Sequence, residues 1–557
     1  MGECFSFNGM SGCKGNRFVV ACFLLVFLFI YTSSASAVIQ HSGVIAASDT
    51  WDNTDTHLVT GDVSIPVNVT LTISQATLVQ FQALSDSTNL GVNPTVSELI
   101  VDGGTLVIDG AAGNPVTLTS TGTGAGDWQG IRVINGGQLT VRYANIEYAI
   151  TGIDYQHSSA ITSTLTVEDS SFSNLSQHGV YLNSTGGAQT TVSILRNGFS
   201  NLGERGIELR STGSSTTLLQ GTLADNTIAT TGKSSVYLYN VSGQQNLSLN
   251  NNLLHTIGSG SSTSPDFAGV RIECISTGSN LPSYTLVGNE IHSAASQGVY
   301  LYTSQSTTDV VLNTNHIHGN SDKGFYQYSY RGDVDVTLMN NEINTNGGRG
   351  LEILDANTPQ AIHLVAVHNS IHDNSEEGLY LDTRNTVYAN FNNLYNNDVT
   401  NGYAIYNNDS GAVDARYNWW GTTLTAEINA SANPKNLSGL FDAFDDISKG
   451  TVDYGKHLGA QQAEPLSTAP TSWVKSPADG TVIKASSYMI EGSATSLEPI
   501  VRVEVSTDGG TSWNTATGKA QWSYAWTIPA DGSYQIQSRV VTANSTAVSY
   551  THLRSHE

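Results

Sequence analysis

Cysteine is scarce in this chain. There are four in 557 residues, and three of them, Cys4, Cys13 and Cys22, lie close to the start. If that stretch is removed as a leader, Cys274 stands alone and no intrachain disulfide is possible. Cys274 alternates in phase with Val270 and Ile272, which predicts a buried core thiol. Basic residues are few as well: 23 Lys and Arg against 47 Asp and Glu, a net charge of −24, with only 13% of residues charged. That excludes the basic patches on which nucleic-acid binding depends. Sustained 3.6-residue periodicity of Ala, Leu, Glu and Lys is missing, which excludes helical repeats. The L-x-x-L-x-L pattern of leucine-rich repeats is absent too. No Ser-His-Asp order, nucleotide loop or zinc motif stands out.

What is abundant is Gly, Ser, Thr and Asn, organised by a repeat over residues 144–420. Its clearest copies read Asn289-Glu290-Ile291-His292, Asn315-His316-Ile317-His318, Asn341-Glu342-Ile343-Asn344 and Asn369-Ser370-Ile371-His372. Each is followed by Gly and a short alternating run: Gly298-Val299-Tyr300-Leu301, Gly324-Phe325-Tyr326-Gln327, Gly350-Leu351-Glu352-Ile353 and Gly378-Leu379-Tyr380-Leu381. The apolar anchor recurs at Ile146, Phe172, Phe199, Ile228, Leu254, Ile291, Ile317, Ile343, Ile371, Leu394 and Trp420, in steps of 23 to 37 residues, most often 26. Alternation marks strands, and propeller blades need roughly 40 residues or more. A coil of about 26 residues holds three short strands, and stacked coils pair in parallel about 4.8 Å apart. Such connections are right-handed in nearly all cases. The fold class is therefore all-β: a right-handed parallel β-helix solenoid, in which each coil contacts only its neighbours.

The recurring Asn is read as a ladder residue that also tolerates the left-handed backbone of a tight turn. A second column, Asn320, Asn346, Asn374 and Asn397, follows the anchor by three residues and is expected to form another ladder.

Residues 1–37 have the form of a secretory signal peptide. Lys14 and Arg17 supply the positive region, residues 18–31 the apolar core and Ala35-Ser36-Ala37 the cleavage site. The expectation is a secreted protein, extracellular or on the cell surface, monomeric, with no membrane span after removal of the leader. The solenoid with its N-terminal cap is placed at 38–460, closed by 440–458 with Phe441, Phe444 and Tyr454. A linker follows at 461–470. A small β-sandwich occupies 471–547, with strands near 488–492, 500–506, 523–528 and 534–541.

The N-x-I coils, Trp128-Gln129-Gly130-Ile131, Asn418-Trp419-Trp420-Gly421 and the trailing Phe444-Asp445-Asp446 and Gly450-Thr451-Val452-Asp453-Tyr454 resemble secreted bacterial right-handed β-helix proteins of the pectin-lyase-like type. The resemblance covers about residues 40–460. It implies the fold, and a superfamily of lyases, hydrolases, epimerases and adhesins. Motifs of polygalacturonases and alginate epimerases are not present as a set. The C-terminal segment resembles bacterial immunoglobulin-like modules. Ser506-x-Asp508-x-Gly510-x-Ser512-Trp513 matches the Asp-box hairpin of sialidases and reads equally as a tight hairpin with a packed Trp. Residues 548–557 are similar to a translated transposon-type sequencing adapter, differing at Ser555, and are set aside as a non-native tail after a truncated module.

In the run after each Gly, the residues between apolar positions face outward and stack into two columns. One is Tyr181, Glu208, Tyr237, Arg271, Tyr300, Tyr326, Glu352 and Tyr380. The other is Asn183, Arg210, Tyr239, Glu273, Tyr302, Tyr328, Leu354 and Asp382. Exposed Tyr rings can stack on sugars, and Arg can clamp the carboxylates of acidic sugars. The resemblance implies glycan binding along this kind of face. The candidate ligand-binding residues are Tyr181, Tyr237, Tyr239, Tyr300, Tyr302, Tyr326, Tyr328 and Tyr380. Should the chain be a polysaccharide lyase or glycoside hydrolase, the catalytic candidates are Glu208, Arg210, Arg271, Glu273, Glu352 and Asp382. Glu208 and Glu273, two coils and so about 10 Å apart between backbones, lie near the upper separation for an inverting pair. In a lyase, Arg210 or Arg271 would assist proton removal, with Ca²⁺ on nearby acids. The same residues also stabilise an exposed sheet without any ligand.

The residue after the anchor forms another column: His255, His292, His318, Asn344 and His372. Stacked imidazoles, with His316 beside them, could share Cu or Zn. No Cys, carboxylate or close His pair completes a set within one coil, so solvated turn or strand histidines are the preferred reading. Three functions stand open: polysaccharide binding with or without cleavage, a non-catalytic adhesin or scaffold, and metal binding.

Overall fold

The computed structural model describes residues 37–556, apart from 259–262, 276–280, 357–361, 463–470, 478–480, 496–499, 520 and 543–545. The predicted leader, save its last residue, and most of the predicted linker lie outside the described residues.

Alternation translates directly into strands with one face in the core. In Val299–Ser304, Val299 and Leu301 are buried while Tyr300 and Tyr302 stand outward. One coil consists of Glu290–Ala294, Val299–Ser304 and Thr308–Asn313; the next consists of His316–His318, Phe325–Ser329 and Val334–Met339. Each strand pairs in parallel with its successor, in the register Ile291↔Ile317, Val299↔Phe325 and Val310↔Val336. Three faces result. The third is a 15-stranded parallel ladder. The first two diverge at Thr56–Pro66, whose first half pairs with Leu78–Phe81 and whose second half pairs with Glu98–Asp102. The molecule is a right-handed parallel β-helix, as parallel crossover chirality requires.

All eleven anchors from Ile146 to Trp420 join a single core that runs from Trp51 to Tyr454. Phe172 stacks on Phe199 at 4.9 Å between ring centres. The Gly that opens each second-face strand is required by close approach. A Cβ on Gly298 would meet Ile317 Cγ2 at 2.4 Å, and one on Gly324 would meet Ile343 Cγ2 at 2.5 Å.

Both Asn ladders are present. Asn315 Nδ2 donates to Leu286 O and to Asn341 Oδ1, each at 2.9 Å, and its own Oδ1 accepts from the backbone N and Nδ2 of Asn289. The second ladder repeats this from Asn320 through Asn346 and Asn374 to Asn397. The expectation that the ladder Asn adopts the left-handed backbone is corrected. The positive φ belongs to the residue just before it, at Thr314, Asn340, His368 and Phe391. The preceding residue turns the corner, and this aims the Asn amide into the stack.

Val38–Val44 pairs with Thr56–Pro66 at the start of the rod. The far end departs from expectation. A helix, Gly421–Asn429, buries Leu424 and Ile428, and Leu440–Phe441 and Val452–Asp453 add the last strands. Its Thr-rich sequence favours strand, so burial of its two apolar residues overrides propensity. Phe441 stacks on Tyr406 at 4.2 Å and Tyr454 is buried, but Phe444 is 46% exposed and does not close the end. Among the described residues no helix is long and apolar enough to cross a membrane.

The C-terminal module has two four-stranded antiparallel sheets around Val474, Ile490, Val503, Val505, Trp522, Trp526, Ile536 and Val540. Thr546–His556 pairs with Gly532–Thr542, so the adapter-like stretch lies along the last strand of the module. The Asp-box sequence forms a hairpin turn. Asp508 accepts from Ser512 Oγ at 2.5 Å, from the Ser512 backbone N at 2.9 Å and from Ser506 Oγ at 2.7 Å, which together hold its carboxyl down at about 2. Trp513 donates to Gly510 O at 3.0 Å and lies under Arg539.

Candidate functional site

The second face carries both outward columns in the predicted order. Register runs Tyr181↔Glu208↔Tyr237↔Arg271↔Tyr300↔Tyr326↔Glu352↔Tyr380 and Asn183↔Arg210↔Tyr239↔Glu273↔Tyr302↔Tyr328↔Leu354↔Asp382. The first column also extends past its predicted ends, to Asp154 and Arg132 on one side and Tyr406 on the other.

The strip divides into two parts of different character. In the lower part the charged groups close on one another, and the expectation of an exposed row there is corrected. Glu208 is only 1% exposed and Tyr237 only 5%. Glu208 accepts from Arg205 Nη1 at 2.9 Å and Arg210 Nε at 2.5 Å. Glu273 accepts from Arg271 at 2.6 Å and from the Tyr237 hydroxyl at 2.7 Å. Asp266, in the preceding turn, binds both Arg205 and Arg271. The guanidiniums also occupy ring faces: Arg205 and Arg271 lie over Tyr237 at 4.7 and 4.6 Å, and Arg210 lies over Tyr239 at 4.9 Å and Tyr181 at 5.8 Å. His178, packed beside this network, is held near 4 chiefly by burial.

Further along, Tyr300, Tyr302, Tyr326 and Tyr328 make a two-by-two block on adjoining coils. Tyr300 meets Tyr326 edge to face at 5.5 Å, and Tyr302 stacks on Tyr328 at 5.8 Å. All four are half-buried. Their hydroxyls have no hydrogen-bond partner among the described residues, unlike that of Tyr237. Burial, with Glu352 next, raises the Tyr326 hydroxyl to about 12, and burial with Glu273 raises that of Tyr300. Both therefore stay protonated and able to donate. Above the block, Glu352 is buried under Arg349 at 2.5 Å and Lys323 at 3.5 Å, and Arg349 also binds Glu377 and lies 3.8 Å over Tyr380. Asp382 stands apart from these pairs. Its carboxyl is raised by burial and then by Asp409.

The arginine clamp expected for acidic sugars is thus already used within the chain. Arg205, Arg210, Arg271 and Arg349 each face at least one carboxylate. Sequence reasoning missed Arg205, Asp266, Lys323 and Arg349 because they sit in the turns, outside the alternating columns. Their signal was the coil spacing of charged residues just before each strip strand.

On the first face the imidazole column is continuous over three coils. His255 and His292 ring centres are 5.3 Å apart, and those of His292 and His318 are 4.9 Å apart. His316 stacks on His318 at 3.8 Å. Asn344 takes the next place and His372 the one after. Carboxylates do complete a set, from neighbouring coils rather than one coil: Glu290 pairs with His316 from below and Glu342 from above. Among the described residues, three His, Cys, Asp or Glu ligand groups converge within 4.8 Å only at Glu290, His316 and His318. Among the described residues no such group stands on the strip, where Ca²⁺ would sit in a lyase. Cys274 is fully buried, free and 3.3 Å from the Tyr284 hydroxyl, with its thiol pushed up to about 11 by burial.

The family described as right handed beta helix region matches residues 129–337 and 274–419, over half of the chain together, and the bacterial Ig domain family matches 470–537. No curated protein matches the chain. The chain belongs to the right-handed β-helix family and carries a bacterial Ig domain behind its solenoid.

Proposed function

We propose that the protein binds a neutral polysaccharide outside the cell, along the block of Tyr300, Tyr302, Tyr326 and Tyr328, without cleaving it. The observation that carries this reading is the contrast within the strip. The four tyrosines are half-exposed, with Lys323 5.0 Å over the Tyr326 ring, and their hydroxyls have no hydrogen-bond partner among the described residues, while every carboxylate candidate for catalysis except Asp382 is tied to a cation. Half-buried Tyr offers rigid apolar area and a hydroxyl at little entropic cost, which suits the alternating CH and OH surfaces of neutral sugars. A uronate would have to break an internal ion pair to reach any of these arginines. In this reading the chain is secreted or held at the surface as a monomer, and the solenoid is the recognition element.

Affinity electrophoresis of the full chain, in gels carrying neutral glucans, mannans and xylans or a polyuronate, tests this with Ca²⁺ and with chelator. Reducing ends and unsaturated-uronate absorbance are followed in parallel. Retardation by a neutral polymer with no cleavage is expected. Retardation by polyuronate alone, or cleavage, overturns the reading. A second reading, a non-catalytic adhesin or scaffold, is favoured by the bacterial Ig domain and predicts silence across all glycans.

A further inference from the structure

We propose that Glu290, His316 and His318 form a binding site for one divalent transition-metal ion of the zinc or copper class. The site stands on the first face, separate from the tyrosine block and independent of the glycan reading. His316 and His318 flank Ile317, which is wholly in the core, so both imidazoles project outward from one strand. The parallel register then sets Glu290 directly beneath His316 and His292 directly beneath His318.

The distances suit a small ion. A tetrahedral ion with ligands at about 2.0–2.1 Å holds its donor atoms roughly 3.4 Å apart. His318 Nε2 lies 3.4 Å from Glu290 Oε1, and one ligand atom from each of the three residues falls within 4.8 Å of the others. The remaining closure needs only side-chain rotation. His316, His318 and Glu290 have side chains 40, 25 and 50% exposed, so that rotation is unobstructed by core packing.

The surroundings are polar: Asn344 Nδ2 lies 3.4 Å from His316 Nε2 and would turn aside for an ion, and His372 Nε2 lies 3.6 Å from Glu342 Oε1. Glu342 Oε1 stands 3.9 Å from His316 Nε2 and accepts from Asn344 Nδ2 at 2.6 Å. It is therefore positioned to orient His316 or to serve as a fourth donor. Two imidazoles and one carboxylate favour zinc, copper or nickel over calcium or magnesium, which prefer oxygen ligands throughout. Three protein ligands leave a position for water or a small anion. The parallel repeat explains how such a set arises from a strand sequence without any metal motif, because the third ligand comes from the same strand position one coil earlier.

The test is calorimetric titration of Zn²⁺ into the untagged full chain after chelator treatment, beside Glu290→Gln, His318→Gln and His255→Ala. One equivalent should bind to the wild type. Glu290→Gln and His318→Gln should each weaken binding about ten-fold or more, while His255→Ala binds as the wild type does. Circular dichroism of the ion-free variants shows whether they fold, and the conservative Gln substitutions keep side-chain size for this purpose. Absence of binding in the wild type overturns the proposal, as does equal binding in folded Glu290→Gln and His318→Gln.

Discussion

Tyr237 reaches diagonally across one coil to donate its hydroxyl to Glu273 at 2.7 Å. The same carboxylate is held by Arg271, whose guanidinium covers the Tyr237 ring. Glu208, two coils below Glu273 in the register, is bound by Arg205 and Arg210. An inverting hydrolase needs one protonated acid and one free base flanking a water. These two carboxylates instead serve as counter-ions in a closed network. Replacing Glu208 by Gln should therefore act on stability. With Glu208 only 1% exposed, loss of its charge is expected to cost roughly 3–5 kcal/mol. Urea unfolding of the variant measures this, and an unchanged midpoint would remove the network from the account.

The amide ladder makes a separate prediction. Asn315→Ala takes away two donated bonds and the acceptor of two more in a buried row. Leaving those groups unpaired should cost roughly 2–4 kcal/mol. Thermal or urea denaturation checks the value. A loss below about 0.5 kcal/mol would mean that core packing alone holds the coils together.

His178 should make the fold acid-sensitive. Burial lowers it from the ordinary 6.5 to about 4 in the folded protein, so the unfolded chain takes up its proton first. Its contribution is complete above about pH 6.5 and is lost as pH falls toward 4. The slope of stability against pH in that window should flatten by up to about 1.4 kcal/mol per pH unit in His178→Gln. Parallel slopes for variant and wild type would show that His178 is solvated.

The solenoid was legible because a strand ladder copies sequence period into space. Residues 26 apart, such as Ile291 and Ile317, become direct neighbours, and the outward columns follow from the same register. Three things were not legible. Arg205 and Arg349 lie in turns, where no alternation points them at the strip, so the crowding of Glu208 and Glu352 stayed hidden. The Glu290 and His316 grouping runs up the axis rather than along one coil, and reading each coil alone separates its members. The helix Gly421–Asn429 has no side-chain cap and a strand-favouring composition, so only the burial of Leu424 and Ile428 at the end of the rod reveals it.

The most direct test of the central claim is one binding titration. The full chain and its Tyr300→Ala, Tyr302→Ala, Tyr326→Ala, Tyr328→Ala combination are titrated with the neutral polysaccharide that retards the wild type. The account predicts that affinity falls by at least about ten-fold, equivalent to about 1.4 kcal/mol, while circular dichroism shows the variant still folded, at a lower urea midpoint because two cross-strand ring pairs are lost. Undiminished binding by the folded variant would contradict it.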